Sequence, residues 1–411
     1  MKTLILSTSD IEGGAARAAY RLHQGLLAVG EGSQMLVRAK YSSDRHVLAE
    51  KSVLTKLGPP ASRWPLRRYP QREKTLFSAQ WFPDAIAAQV ARLNPDIVNL
   101  HWVCSGYVRI ETLAKLQKPV VWTLQDMWAF TGGCHYSQNC DRYQQQCGSC
   151  PQLKSHKERD LSRKIWKRKQ KAWKHVNLTV VTPSRWMAEC VQASSLLGDR
   201  RIAVIPFCLS TQTYRPIDTN VARNLLGLPQ DKHLVLFGAI SATADPRKGF
   251  HLLIPALQKL SQWESQENVE LVVFGASPPE KPLDVGFKVH YLGNFSDDLS
   301  LALVYSAADV MVVPSLQESF GQTASEALAC GTPVVAFDTT GLRDIVDSQQ
   351  NGYLAKPYET EDLARGIAWI LQDRDRYQQL RTNAREKAER AFALEIQAKR
   401  YLSLFQELLE K

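Results

Sequence analysis

The sequence predicts an α/β protein built from two doubly wound domains. Short, nearly uninterrupted apolar runs recur along the chain, each separated from the next by a stretch with helical spacing. That is the pattern of parallel strands covered by helices on both faces. The series occurs twice, with a join near residues 206–232. At 411 residues with ordinary apolar content, the chain is long enough to give each series its own core.

Taken in order, Leu4-Ile5-Leu6 reads as the first strand, and Gly13-Gly14 opens a helix from Ala15 to about Val29. Met35-Leu36-Val37 is the second strand. Residues 55–80, rich in Pro, Arg and Trp, read as an irregular insertion. Strands follow at 96–101, 120–124, 178–182 and 202–206. The second series places strands at 234–238, 271–275, 289–293, 310–313 and 334–337, and ends in a charged helical tail. The expected division is an N-terminal domain at 1–205 with a Cys-rich loop at 132–151, a C-terminal domain at 206–385, and a last helix at 386–411. Open parallel sheets bind ligands beyond the C-terminal ends of their strands, so the site is expected in a cleft between the two domains.

Bulk properties narrow the function classes. No 18-residue apolar run is present, which argues against a membrane-spanning helix. The first residues are soon interrupted by Asp10 and Glu12, unlike a signal peptide, so a cytoplasmic location is expected. Charge is lopsided: residues 1–200 carry 30 Lys and Arg against 15 Asp and Glu, while the remainder carries 21 against 26. The densest basic stretch, 154–174, has Leu161, Ile165, Trp166, Ala172 and Trp173 at helical spacing. It suits either an anionic membrane surface or a packed helix with a charged outer face. No nucleic-acid-binding module accompanies the charge, and nucleic acid is not an expected partner.

The chemistry concentrates at Glu318-Ser319-Phe320-Gly321-Gln322-Thr323-Ala324-Ser325-Glu326. A strand closed by Pro314-Ser315 precedes it, and Ala329-Cys330-Gly331-Thr332-Pro333 leads into the next strand. Two carboxylates eight positions apart, one before a helix and one inside it, can face one ligand together with the helix's free N–H groups. An anion flanked by hydroxyls, such as a nucleotide sugar, fits that set. The alternative is an ordinary βα unit with a capping acid and a surface acid. The segment resembles the Glu-x7-Glu signature of the family 4 retaining glycosyltransferases, whose fold is GT-B, two Rossmann-like domains with a cleft between them. The resemblance implies that Glu318 lies by the donor sugar and Glu326 holds the ribose, with Phe320, Gly321, Gln322 and Thr323 lining the donor site.

Other residues extend the resemblance. Gly13-Gly14 matches the family's first strand-to-helix loop, which contacts donor or acceptor; a tight turn is the plain alternative. Arg247-Lys248-Gly249 matches a Lys-Gly pair whose lysine neutralises the departing diphosphate. Many members also carry an arginine a few residues after the preceding strand, where this chain has Ala or Ser, and Arg247 is a candidate replacement. His101, ending its strand, matches a histidine that supports the sugar carbon in the transition state. The next strand end reads Thr123-Leu124-Gln125-Asp126 where the relevant subset often has Thr-Leu-His-Asp, and no catalytic base is assigned there. The last helix of the fold typically crosses back to the first domain.

Cys134, Cys140, Cys147 and Cys150 fall within 17 residues. A Cys-x2-Cys pair with two further thiols suits a structural Zn²⁺; an iron–sulfur cluster or simple buried thiols are the alternatives. The stretch around them resembles family 4 enzymes of bacterial capsule and exopolysaccharide pathways, including colanic-acid-type transferases.

The expectation is therefore a retaining glycosyltransferase, with Glu318, Lys248 and His101 as catalytic residues and no cofactor for the chemistry. Its partners would be a nucleotide-sugar donor and an oligosaccharide or lipid-linked acceptor, with peripheral contact at the inner face of the cell membrane. Two rivals stand beside it: a nucleotide-sugar epimerase of the same fold, and a zinc-stapled binding protein for anionic polymers.

Overall fold

A computed structural model describes residues 1–240, 242–263, 268–280 and 284–410. It divides into two compact units, Met1–Pro206 with Gln397–Lys411, and Phe207–Ile396.

The first unit holds seven parallel strands: β1 (Lys2–Ser9), β2 (Gly32–Ala39), β3 (Val47–Ala49), β4 (Ile97–Leu100), β5 (Val120–Thr123), β6 (Leu178–Thr182) and β7 (Arg201–Val204), in the order β3-β2-β1-β4-β5-β6-β7. The order reverses between β1 and β4, which opens a crevice at their C-terminal ends. The inner strands are buried along their length, as their unbroken apolar runs require. The short edge strand β3 was not read in the sequence. Residues 55–80, expected to be irregular, begin within a helix, Val53–Ser62, started by the Ser52 cap on Thr55 N and running through Pro59 and Pro60. From Gln397 the C-terminal helix packs on this unit: Tyr401 OH lies 3.1 Å from Thr123 Oγ1, and Arg400 donates to Val204 O at 2.7 Å.

The basic stretch forms the helix Leu161–Trp173, capped by Asp160 on Arg163 N. Ile165, Trp166, Lys169 and Trp173 share its buried face. Lys169 is fully enclosed, 3.6 Å over the Trp128 ring, and donates to Trp128 O and Thr131 O. Burial pulls its pKa down to about 7. Arg168 pairs with Glu111 and with the carbonyls of Ala79 and Gln80. The apolar face of this helix is therefore part of the core, and only its lysine-bearing face meets solvent. No helix among the described residues is long and apolar enough to cross a membrane.

The second unit repeats the plan with six parallel strands: β8 (His233–Gly238), β9 (Val269–Phe274), β10 (Lys288–Gly293), β11 (Val310–Val313), β12 (Val334–Phe337) and β13 (Gly352–Ala355), in the order β10-β9-β8-β11-β12-β13. Its reversal lies between β8 and β11. Asp218, Asp297 and Asp373 each cap a helix by accepting from the third N–H along. The edge strand β13 was also unread in the sequence, because Gly352-Tyr353-Leu354 is too short to show a period.

Candidate active site

At the C-terminal edge of β11 the chain passes through Pro314-Ser315 and places Glu318 in a nearly closed position, 7% exposed. Lys248 Nζ donates to its Oε1 at 2.6 Å, Ser315 Oγ donates to the same oxygen at 3.0 Å, and Arg247 Nη1 lies 3.4 Å from Oε2. Burial alone would raise the pKa of this acid. The ammonium of Lys248 and the guanidinium of Arg247 outweigh it and hold the group at about 2. Glu318 is thus an anion throughout the physiological range and an acceptor of hydrogen bonds rather than a proton donor.

The cations reach it because of Gly249. Its φ is +74°, and a Cβ there would lie 1.8 Å from Pro314 O. The Arg247-Lys248-Gly249 turn therefore rests directly on the end of β11, and Leu316 N donates to Arg247 O at 2.8 Å. Arg247 also donates to Gln317 O at 2.9 Å and pairs with Asp245 at 3.1 Å. Its main engagement is to shape the loop that carries Glu318.

Gly321, at φ +115°, starts the helix Gln322–Ala329 without a side-chain cap. A Cβ on Gly321 would press Leu342 at 2.7 Å. The first N–H groups of the helix, at Gln322 and Thr323, give this edge of the sheet a positive end. The Phe320 side chain turns away into the core, with ring centroids 5.4 Å from Phe207 and 5.5 Å from Phe392. Phe320 had been expected to line the donor site; it contributes a backbone position and a wedge. Glu326, 5% exposed, accepts from Tyr305 OH at 2.8 Å. Tyr305 is itself fixed, edge-on to Phe274 at 5.7 Å, with its carbonyl accepting from Thr332 Oγ1 at 2.7 Å.

Sequence reasoning assigned no role to Tyr305 or Ser315. The serine was quoted only as context, and the tyrosine comes from a helix with no motif of its own.

The crevice of the first unit holds Gly13, Gly14 and His101. Gly13 adopts φ +94°, with nothing within 4 Å of where a Cβ would stand. It precedes the uncapped helix Gly14–Ala28. His101 follows β4, donates its backbone N–H to Leu6 O at 2.9 Å, and is 2% exposed. Its ring is clamped from both sides. Asn99 spends its amide N–H groups on Val121 O and Thr123 Oγ1, so its Oδ1, 2.9 Å away, accepts from His101 Nε2–H. Gln125 Nε2 then donates to Nδ1 at 3.0 Å. Burial depresses the pKa to about 3. His101 is a neutral imidazole with both nitrogens engaged. Gln125, noted in the sequence only as a departure, is one of its two holders. Asp126 accepts from Trp102 Nε1 at 2.8 Å and from Trp128 N at 2.8 Å, and lies 2.6 Å from His135 Nδ1.

The four clustered cysteines are thiols without a disulfide. Burial, helped by their mutual proximity, raises Cys134 furthest and pushes Cys147 to about 12 and Cys150 to about 11. A tetrahedral zinc site needs sulfurs about 3.8 Å apart. No three of these lie within 4.8 Å of one another, so as placed they do not fit the ion expected for them. The loop is held instead by polar contacts: Gly132 N to Cys147 Sγ at 3.1 Å, Cys150 N to Asp160 at 2.8 Å, and Arg163 Nε to Cys147 O.

Residues 220–387 match the family described as glycosyl transferases group 1, and residues 12–212 match glycosyltransferase family 4. The chain is 33% identical over 204 residues to D-inositol 3-phosphate glycosyltransferase 2 of Catenulispora acidiphila, covering 46% of this chain and 47% of that one. The matched region spans about half the length of the curated relatives. Among solved structures, sucrose-phosphate synthase of Thermosynechococcus elongatus superposes with a TM-score of 0.72 at 21% identity over the whole of both chains. Anabaena HepE, solved with UDP-glucose, gives 0.65 at 19% over 98% and 99%. These likenesses show the fold. With two parallel doubly wound sheets and family matches that together run from residue 12 to residue 387, the chain belongs to the family 4 glycosyltransferases of the GT-B fold.

Proposed function

We propose that the protein is a retaining glycosyltransferase that moves a sugar from a nucleotide diphosphate to a saccharide acceptor, lipid-linked and bound for a cell-surface polysaccharide. The observation that carries this is the buried Glu318–Lys248 pair beside the uncapped helix start at Gly321, with Glu326 oriented by Tyr305. A diphosphate draws Lys248 toward itself, adding the ammonium to the helix-end N–H groups and stabilising the charge that builds on the leaving group. Glu318, released from that contact and still ionised, accepts from the hydroxyls of the donor sugar. Glu326 accepts from the ribose, with Tyr305 holding its carboxylate in register. The leaving phosphate takes the acceptor's proton on the face it departs from, which retains configuration without a second carboxylate opposite the bond.

The exposed lysines Lys164, Lys167, Lys171 and Lys174 lie along one side of their helix. They support contact with an anionic lipid surface by charge alone, since the helix's apolar side is already used.

The deciding experiment is a thermal-shift screen of UDP-, GDP-, ADP- and dTDP-sugars, followed by product analysis with and without saccharide acceptor. A cognate donor raises the melting temperature by mass action, and transfer requires acceptor. Donor conversion that is indifferent to acceptor would favour the epimerase reading instead.

A further inference from the structure

In the first unit, the helix Gly14–Ala28 and the segment after β2 bring His23, Asp44 and His46 together. Their donor atoms all lie within 4.8 Å of one another, the one such group of three among the described residues. His23 is completely buried. Its Nδ1 lies 2.8 Å from Ser33 Oγ, and its Nε2, with no hydrogen-bond partner, faces Asp44 Oδ2 at 3.4 Å. On the other side of the carboxylate, His46 Nδ1 lies 3.3 Å from Oδ1. These separations are long for hydrogen bonds, and the three donor atoms are as close together as one shared ion requires.

We propose that His23 Nε2, the Asp44 carboxylate and His46 Nδ1 bind a divalent transition-metal ion, Zn²⁺ by the nature of the donor set. A buried imidazole with Nδ1 held by a hydroxyl and Nε2 facing a carboxylate is how a ligating histidine is prepared: the contact at Nδ1 fixes the ring and aims Nε2. Two imidazoles and one carboxylate suit Zn²⁺ over Mg²⁺ or Ca²⁺, which prefer all-oxygen shells. His46 is the partly exposed member, with 38% of its side chain accessible, and gives the ion its way in and a solvent-facing fourth position. Tyr20 OH donates to Asp44 Oδ2 at 3.2 Å and orients the acid.

The ion would staple the helix to residues 40–46. The same segment is held from the sheet side, where Asp10 accepts from Tyr41 N at 3.0 Å and Ser42 N at 2.8 Å. Metal binding would thus set the segment that borders the end of β1, in the unit carrying Gly13 and His101. This site is independent of the cysteine cluster.

The test is calorimetric titration of chelator-stripped protein with Zn²⁺, alongside visible spectra with Co²⁺. One ion per chain is expected, with a Co²⁺ spectrum free of thiolate charge-transfer bands and a rise in melting temperature on loading. His46→Ala, at a partly exposed position, and Asp44→Asn, which keeps the side chain's size, should each weaken binding by about tenfold or more. Cys147→Ser should leave it unchanged. No binding by the wild type would overturn the proposal. So would undiminished binding in both His46→Ala and Asp44→Asn, or loss of the ion in Cys147→Ser.

Discussion

The buried group just past β11 is an ion, whereas the one just past β4 is neutral. Glu318 sits against Lys248 and Arg247. His101, in the equivalent strand-end position of the other sheet, is an uncharged ring between two amides. The unit with the larger net positive charge thus carries the less charged strand end. Its basic residues are spent on the outer surface, and on Lys169 and Arg168 inside. Global charge therefore says nothing about which crevice takes a phosphate. The proposed assignment rests on local geometry: a glycine turn presses a lysine onto the end of β11.

The sharpest way to break this contrast is Lys248→Ala. It removes the mobile cation and leaves Glu318 buried with Arg247 alone. Transfer should fall about 100- to 1,000-fold in kcat/KM, the scale of losing one preorganised stabilising donor; a loss under tenfold would remove Lys248 from the chemistry. Tyr305→Phe is milder. The buried carboxylate of Glu326 loses one hydrogen bond, which costs about 1.5–3 kcal/mol. The expected result is a rise in KM for the nucleotide sugar of about tenfold or more with kcat little changed.

Stability against pH separates the two crevices. The folded pKa of Glu318, about 2, lies below its ordinary 4.5. Its stabilisation is complete above about 4.5 and is lost as pH falls toward 2. For His101 the unfolded chain takes up a proton near 6.5, while the folded ring resists until about 3. Stability should therefore already erode as pH drops from about 6.5. In denaturant titrations His101→Gln should flatten that fall by about 1.4 kcal/mol per pH unit. Glu318→Gln should alter the profile only below about pH 4.5. If both variants shifted the same window, the division into charged and neutral crevices would fail. The smallest effect concerns the lysine side of the helix Leu161–Trp173. Replacing Lys164, Lys167, Lys171 and Lys174 by Glu should abolish any salt-sensitive binding to anionic vesicles and leave transfer to a water-soluble acceptor intact. Equal binding to neutral vesicles would rule out the electrostatic contact.

Much of this architecture is readable without coordinates. Eleven of the strands announce themselves as apolar runs, and Lys248 and Glu318 meet past the end of β11, with Gly321 opening the helix that carries Glu326. What could not be read depends on partners distant in sequence. Phe320 is a core residue because Phe207 and Phe392 arrive from far along the chain. Gln125 reads in the sequence only as a departure from the family pattern; its contact with His101, 24 residues away, gives it a place. Lys169 lies in the basic stretch, yet its four-residue spacing from Ile165 and Trp173 puts it on their buried face. The cysteine spacing predicts that the four thiols gather, as they do, but not the distances between their sulfurs.

The contact between Lys248 and Glu318 makes the site a closed lock with two tumblers. A free phosphate that captures Lys248 strands Glu318 in a buried position with one cation fewer; a sugar without phosphate can reach Glu318 only in competition with the ammonium it already holds. A ligand carrying anion and hydroxyls together satisfies both at once. Under the proposed function, discrimination against inorganic phosphate and free sugars needs no steric gate. It follows from storing the two recognition groups against each other.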